Sequence, residues 1–318
     1  MRILSALAFL VLLATFAPPS LHHPDPPPAR TLLWLAPIPL EKGAPLTKTA
    51  GRLAFLGGWE VTSNDPRFGG ISAMHVGTSE VMAVSDAGSL IRFPLPGAGR
   101  TYAARIEALP AGPGSAEVKS DRDAESMAVH GSRLWVGFER SNAVWRYRLD
   151  RWQSEASAAP RGMRRWRGNR GAEAMLRLPR GRFLIFSEGG AAESEVLLCD
   201  GDPALPGTRT TSLRYRPPAG YRITDAALLP GGQMLLLNRR FAFSEGLSAK
   251  LVLAPAYRGG AGVLAGEEIA DLRWPLAIDN MEALSVTREG GRNIVWIASD
   301  DNFNPLQRTL LLKFALLE

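Results

Sequence analysis

From residue 51 onward the hydrophobic positions fall in short runs such as VMAV (81–84), FLIF (183–186), MLLL (234–237) and IVWIA (294–298). Gly, Pro, Asn and Asp bound these runs, and no stretch carries the spacing of an amphipathic helix, so the pattern predicts strands joined by turns. Five segments repeat one design: a small or acidic residue, a strand, a turn, then a second strand ending in polar residues. They are GGISAMHVGTSEVMAVSDAG (69–88), DAESMAVHGSRLWVGFERSN (123–142), GAEAMLRLPRGRFLIFSEGG (171–190), ITDAALLPGGQMLLLNRRF (223–241) and DNMEALSVTREGGRNIVWIASDDN (279–302). Their aligned first-strand positions are Ser72, Glu125, Glu173, Asp225 and Glu282, at intervals of 48 to 57 residues. A period near fifty residues with four strands per unit predicts an all-β chain folded as a β-propeller. The count is five four-stranded blades, or six if unit two, weak after Leu149, hides another. The last unit is one strand short, and LAFLGGWEV (53–61) is the spare strand expected to close the ring.

Composition agrees with many turns, since 32 Gly and 24 Pro occur among 318 residues. One cysteine, Cys199, excludes an internal disulfide, and its place at a strand end predicts a buried small residue. The formal charge of +6 is carried mainly by arginine, and only five lysines occur. Arg161, Arg164, Arg165, Arg167 and Arg170 cluster around Trp166. Without a nucleic-acid module this reads as a solvated loop, so no nucleic-acid partner is expected. The basic balance favours an anionic small-molecule substrate. Trp34, Trp59, Trp135, Trp145, Trp274 and Trp296 lie in strand-like runs and are expected to pack between blades.

The N-terminus adds a compartment. Residues 3–17 are apolar except Ser5 and Thr15, which suits a signal peptide better than a spanning helix. Pro18, just after the small residues Thr15 and Ala17, disfavours cleavage, so an uncleaved anchor associating the protein with a membrane is the alternative. Residues 18–50 begin with PPSLHHPDPPPAR and read as a Pro-rich spacer and lead-in, with residues 51–318 as the propeller. The expected product is an exported monomer, periplasmic or secreted.

A hairpin places the start of one strand beside the end of the next. The repeat therefore pairs Ser72 with Asp86, Glu125 with Glu139, Glu173 with Glu188, Asp225 with Arg239, and Glu282 with Asp300 and Asp301. Five-fold repetition makes these a carboxylate ring at one mouth of the channel, mixed with Arg140, Arg239 and Arg240. Convergent carboxylates raise one another's pKa unless arginine or a hard cation compensates them. Calcium accepts six to eight oxygen ligands in loose geometry and suits Asp86, Glu125, Glu139, Glu173, Glu188, Asp225, Glu282, Asp300 and Asp301 as candidate ligands. The bland alternative is that each acid caps nearby backbone amides.

Other chemistries lack their parts. The segment GISAM (70–74) misses the last glycine of a serine-hydrolase elbow, and no Gly-Lys-Ser/Thr phosphate loop occurs. GGAGVLAG (259–266) has no following helix, so a dinucleotide site is a weak reading. His75 and His130 are expected at the channel wall or in turns.

Several of these segments resemble a known family. FLGGWEVTSNDPRFGGISAM (55–74), VSDAG (84–88), DAESMAV (123–129), NRGAEAM with SEGG (169–190), ITDAALLPGG (223–232), LNRRF (237–241) and DNMEALSV with SDDN (279–302) are similar to the phytase-like domain labelled "esterase-like activity of phytase". The resemblance implies a propeller related to calcium-dependent phytases, which are six-bladed, and hydrolysis of phosphate or carboxylate esters. Beside it, the hairpin geometry suggests Glu125, Glu173 and Glu282 as catalytic carboxylates, with Arg140, Arg239 and Arg240 on the substrate. Two alternatives stay open, a non-catalytic envelope propeller that binds a ligand or partner, and a lactonase-like calcium enzyme.

Overall fold

The structure, a computed structural model, describes residues 27–318 other than 45, 117, 169, 191 and 261. The apolar leader read at residues 3–17 lies outside the described residues. Among those described, no helix is long and apolar enough to cross a membrane.

Five antiparallel sheets stand in a ring as a β-propeller. Blade one runs Ile71–Val76, Glu80–Ser85, Ser89–Pro94 and Arg105–Ala108 from the axis outward. Blade two is Ala124–His130, Arg133–Phe138, Ala143–Arg148 and Gln153–Ala158. Blade three is Ala172–Arg177, Phe183–Ser187, Ser194–Cys199 and Thr210–Tyr215. Blade four is Arg222–Leu228, Met234–Ala242, Gly246–Ala254 and Glu267–Arg273. Blade five takes Asn280–Glu289, Arg292–Asp300 and Leu310–Leu316 from the C-terminal end, then Leu53–Ser63 from the N-terminal end.

That last pairing closes the ring, with Leu316 opposite Leu53 and Leu310 opposite Glu60. The sheet continues outward through Leu32–Pro37, antiparallel to Leu53–Ser63, and then Thr101–Ala103. Part of the stretch assigned to the spacer, 18–50, is therefore paired strand.

The unbroken apolar runs follow from this architecture. Each sheet has a neighbour on both faces, so inner strands such as Phe183–Ser187 are buried along their whole length. Five apolar layers fill the gaps between adjacent blades. Leu235, Leu251, Val295 and Leu312 pack between blades four and five, and Ile91, Met74, Trp296 and Leu311 between blades five and one. Outer strands such as Gln153–Ala158 are only part-buried and read as polar.

Several minor elements find their place here. Trp166, the aromatic inside the arginine cluster, is buried with Met163 between blades two and three, while Arg161, Arg164, Arg165 and Arg167 are exposed. Trp135 and Trp296 are buried, and Trp59 stacks on Trp296. Trp34 and Trp274 depart from the expected packing and are exposed, because the first lies near the sheet's outer edge and the second in a turn. Cys199 is fully buried, and burial pushes its thiol up to about 12. Within the Gly-rich segment 259–266, Val263–Leu264 pairs in parallel with the outer strand of blade three.

Candidate functional site at the channel mouth

Every innermost strand carries a β-bulge at the same place. The register skips Ser72 in blade one, Glu125 in blade two, Glu173 in blade three, Thr224 in blade four and Glu282 in blade five. A bulge sets two residues against one and re-aims the extra side chain, and bulges favour functional sites. Here the repeat directs Glu125, Glu173 and Glu282 into the mouth of the channel. One rung further on, the second strands carry Asp86, Glu139, Glu188, Arg239 and Asp300, which also line that mouth. Two stacked rings thus enclose a cavity of about 590 Å3.

The bulge corrects one alignment. In blade four Thr224, not Asp225, is the residue equivalent to the three glutamates. Asp225 points between blades: its Oδ2 accepts the Leu284 amide at 2.7 Å and its Oδ1 the Ala226 amide at 2.7 Å. This is backbone capping, the bland alternative. Asp301 behaves likewise, with Oδ1 accepting the Gly70 and Phe303 amides and Oδ2 the Thr309 hydroxyl. Neither lines the cavity. Replacing Asp225 with Ala would strand two buried amides and cost about 1–3 kcal/mol. A denaturant melt of D225A checks this, and the response to added calcium should persist.

The arginines separate too. Arg239 lines the cavity, with Nε 2.8 Å from Glu282 Oε1. Arg140 lies outside it, paired with Asp123 at 3.0 Å, and Arg240 pairs with Glu245 over the Tyr221 ring. Further groups that the repeat did not flag belong to the site. Arg222 pairs with Glu188 at 3.0 Å, Asn280 donates to Glu282 at 3.0 Å, and Lys119 reaches from the loop before blade two to Asp86. Asp123 is the fourth, and it faces Glu139 across the first rung of blade two, where the Glu139 amide donates to its carbonyl. It precedes the aligned position by two residues; once the bulge places Thr224 in that column, the residues two before it in blades four and five, Arg222 and Asn280, also line the site.

Burial and mutual repulsion define the electrostatics. Glu125 and Glu173 are held well above the usual carboxylate range, first by burial and then by neighbouring carboxylates. Burial likewise raises Glu139 to about 7 and Glu282 to about 7, the latter against the pull of Arg239. Asp86 rises to about 6 through burial, with Lys119 opposing. Asp300 also lies well above its ordinary value, again chiefly through burial.

A cation would relieve this repulsion, and the donor set fits one. Carboxylate oxygens of Asp123, Glu125 and Glu139 lie within 4.8 Å of one another. Beside them Asp86 Oδ1 is buried without a hydrogen-bond partner. An all-oxygen set of this kind suits a hard ion such as calcium.

The sequence profile described as "Phytase-like: Esterase-like activity of phytase" matches residues 66–303. The chain belongs to this family. The match spans most of this phytase-like propeller, from just before blade one to the second strand of blade five. No curated protein matches the sequence. Among solved structures, the glutaminyl cyclase of Myxococcus xanthus is 10% identical, covers 84% of this chain and 99% of its own, and has a TM-score of 0.48. A nidogen/laminin complex is 10% identical over 84% of this chain and 88% of the other, with a TM-score of 0.43. The structure of U3-55K is also 10% identical, over 78% and 96%, at 0.41. These are likenesses of fold alone.

Proposed function

We propose that this phytase-like propeller is an exported, calcium-dependent hydrolase of phosphate or carboxylate esters, working at the acidic mouth of its channel. The observation that carries the reading is the Asp123, Glu125 and Glu139 trio, of which Glu125 and Glu139 line the same cavity as Arg239. Bound there, calcium would polarise the ester oxygen and lower the pKa of a coordinated water. Asp123, Glu125 and Glu139 would hold the ion, and the unpartnered Asp86 Oδ1 is the further carboxylate oxygen offered to it.

The remaining groups divide the work. Arg239 presents its planar fork to the anionic oxygens of the substrate, and Arg222 adds charge at the rim. Glu173 is 7% exposed, and burial and the neighbouring carboxylates raise its pKa, a direction that suits a group donating its proton to the leaving oxygen. Glu282, near 7 and beside Arg239, sits at the value that suits a base. Arg140, through Asp123, positions a metal ligand and does not touch substrate.

The test is turnover of p-nitrophenyl phosphate, bis(p-nitrophenyl) phosphate and p-nitrophenyl acetate, with calcium and after chelation. At least one substrate should be cleaved only with calcium, and Arg239→Ala should lose about a hundredfold in kcat. Absence of metal-dependent turnover on all three would overturn the hydrolase reading.

A further inference from the structure

The channel mouth is not walled evenly. In blades one, two and three the second hairpin turns within a few residues of Asp86, Glu139 and Glu188. In blade four it does not turn. Its two nine-residue strands stay in register past Arg239, through Arg240 opposite Ser248 and Phe241 opposite Leu247, to Ala242 opposite Gly246. A β-ribbon thus rises beside the cavity.

The ribbon has two unlike faces. Arg240, packed over Tyr221, belongs to one. Phe241 and Leu247, directly opposite each other, belong to the other and line the cavity. At the tip Phe243 meets Phe241 edge to face, with ring centroids 6.1 Å apart. Phe241 is 48% exposed and Phe243 69%, so neither is used by the core. Paired exposed aromatics at the rim of an otherwise charged cavity mark a binding surface. Arg239 lies on the same cavity wall, two residues from Phe241 on the same strand.

We propose that this ribbon is the apolar wall of the substrate site, so that the substrate is an amphiphilic ester with an aryl or acyl group on Phe241, Leu247 and Phe243 and its anionic head at Arg239. The inference rests on the hydrolase reading for the head group and extends it to the rest of the molecule. It sets the protein apart from an enzyme for all-polar polyol phosphates, which would leave two phenyl rings facing water. The juxtaposition also fixes orientation: the apolar group lies on the blade-four side and the scissile bond toward the blade-two carboxylates.

Binding of two phosphonates that share a head group tests this without turnover. Titration calorimetry with the full chain in calcium compares phenylphosphonate with methylphosphonate. Phenylphosphonate should bind about tenfold or more tightly, the gain expected from burying a phenyl ring against aromatic neighbours. In the Phe241→Ala, Phe243→Ala double variant that ratio should fall below about twofold, with an unchanged melting temperature as the folding control. Methylphosphonate and phenylphosphonate binding equally to the wild-type chain would overturn the apolar wall and leave the head-group site standing. Binding of neither would overturn both. A ratio unaffected by the double variant, with the variant instead shifting a self-association equilibrium in sedimentation, would assign the ribbon to a second copy of this chain and also overturn the proposal.

Discussion

Calcium at a hundredfold excess over its dissociation constant will stabilise the wild-type chain by about 2.7 kcal/mol, a rise in melting temperature of about 5 °C for a domain of this size. Replacing Glu125 and Glu139 together with Gln will reduce that rise to below about 1 °C, because two of the three clustered ligands lose their charge. The same double variant should lose about a hundredfold or more of any calcium-dependent turnover. Without calcium, however, the variant should melt no lower than the wild type. Glu125 is raised first by its burial and then by Glu173, Asp123, Asp86 and Glu139, so removing charge there relieves a cost. Loss of the calcium response with retained stability separates a ligand from a structural residue. By contrast, D225A should lose stability and keep the response.

Metal-free protein will lose stability as pH rises from 5 to 8, with a fall of more than about 5 °C in melting temperature. The sign follows from the direction of the shifts. Asp86 near 6, and Glu139 and Glu282 near 7, hold their protons in the folded state at pH values where the unfolded chain has released them. The folded state therefore binds more protons across the interval between ordinary carboxylate values and about 7. Stability is greatest at the acid end of that window and declines through it. Calcium competes with the protons on Glu139 and Asp86 for the same oxygens, so its stabilising increment should grow over the same range. A set of melts at half-unit pH intervals, with chelator and with calcium, checks both trends. A metal-free melting temperature that climbs with pH would contradict the electrostatic account.

The ring was legible in the sequence because each blade writes the same two positions. Small or acidic residues at the inner strand and polar residues at the end of the next recur at a period near fifty, and the closing strand 53–61 was recognisable as the piece without a unit. The pairs Glu125 with Glu139 and Glu173 with Glu188 followed from hairpin geometry alone. Spacing could not reveal the bulge. Blade four carries its acid one residue late, so Asp225 aligned with the ring although its carboxylate caps amides between blades. Asp301 was drawn in the same way by its neighbour Asp300, and only Asp300 reaches the cavity. Arg140 and Arg240 sit one residue beyond or beside the ring positions, and a strand sends neighbouring side chains to opposite faces. Lys119 and Phe241 were hidden for another reason: one comes from a connection outside the repeat, and the other, at the end of unit four, faces the cavity only because that hairpin is extended.

The central claim is that a hard cation sits among Asp123, Glu125 and Glu139. Crystals grown with calcium, or with a lanthanide in its place for anomalous scattering, test it most directly. The account predicts a peak bounded by oxygens of all three residues, at about 2.3–2.6 Å for calcium. An empty cluster at saturating calcium, or a peak only elsewhere on the propeller, would contradict it.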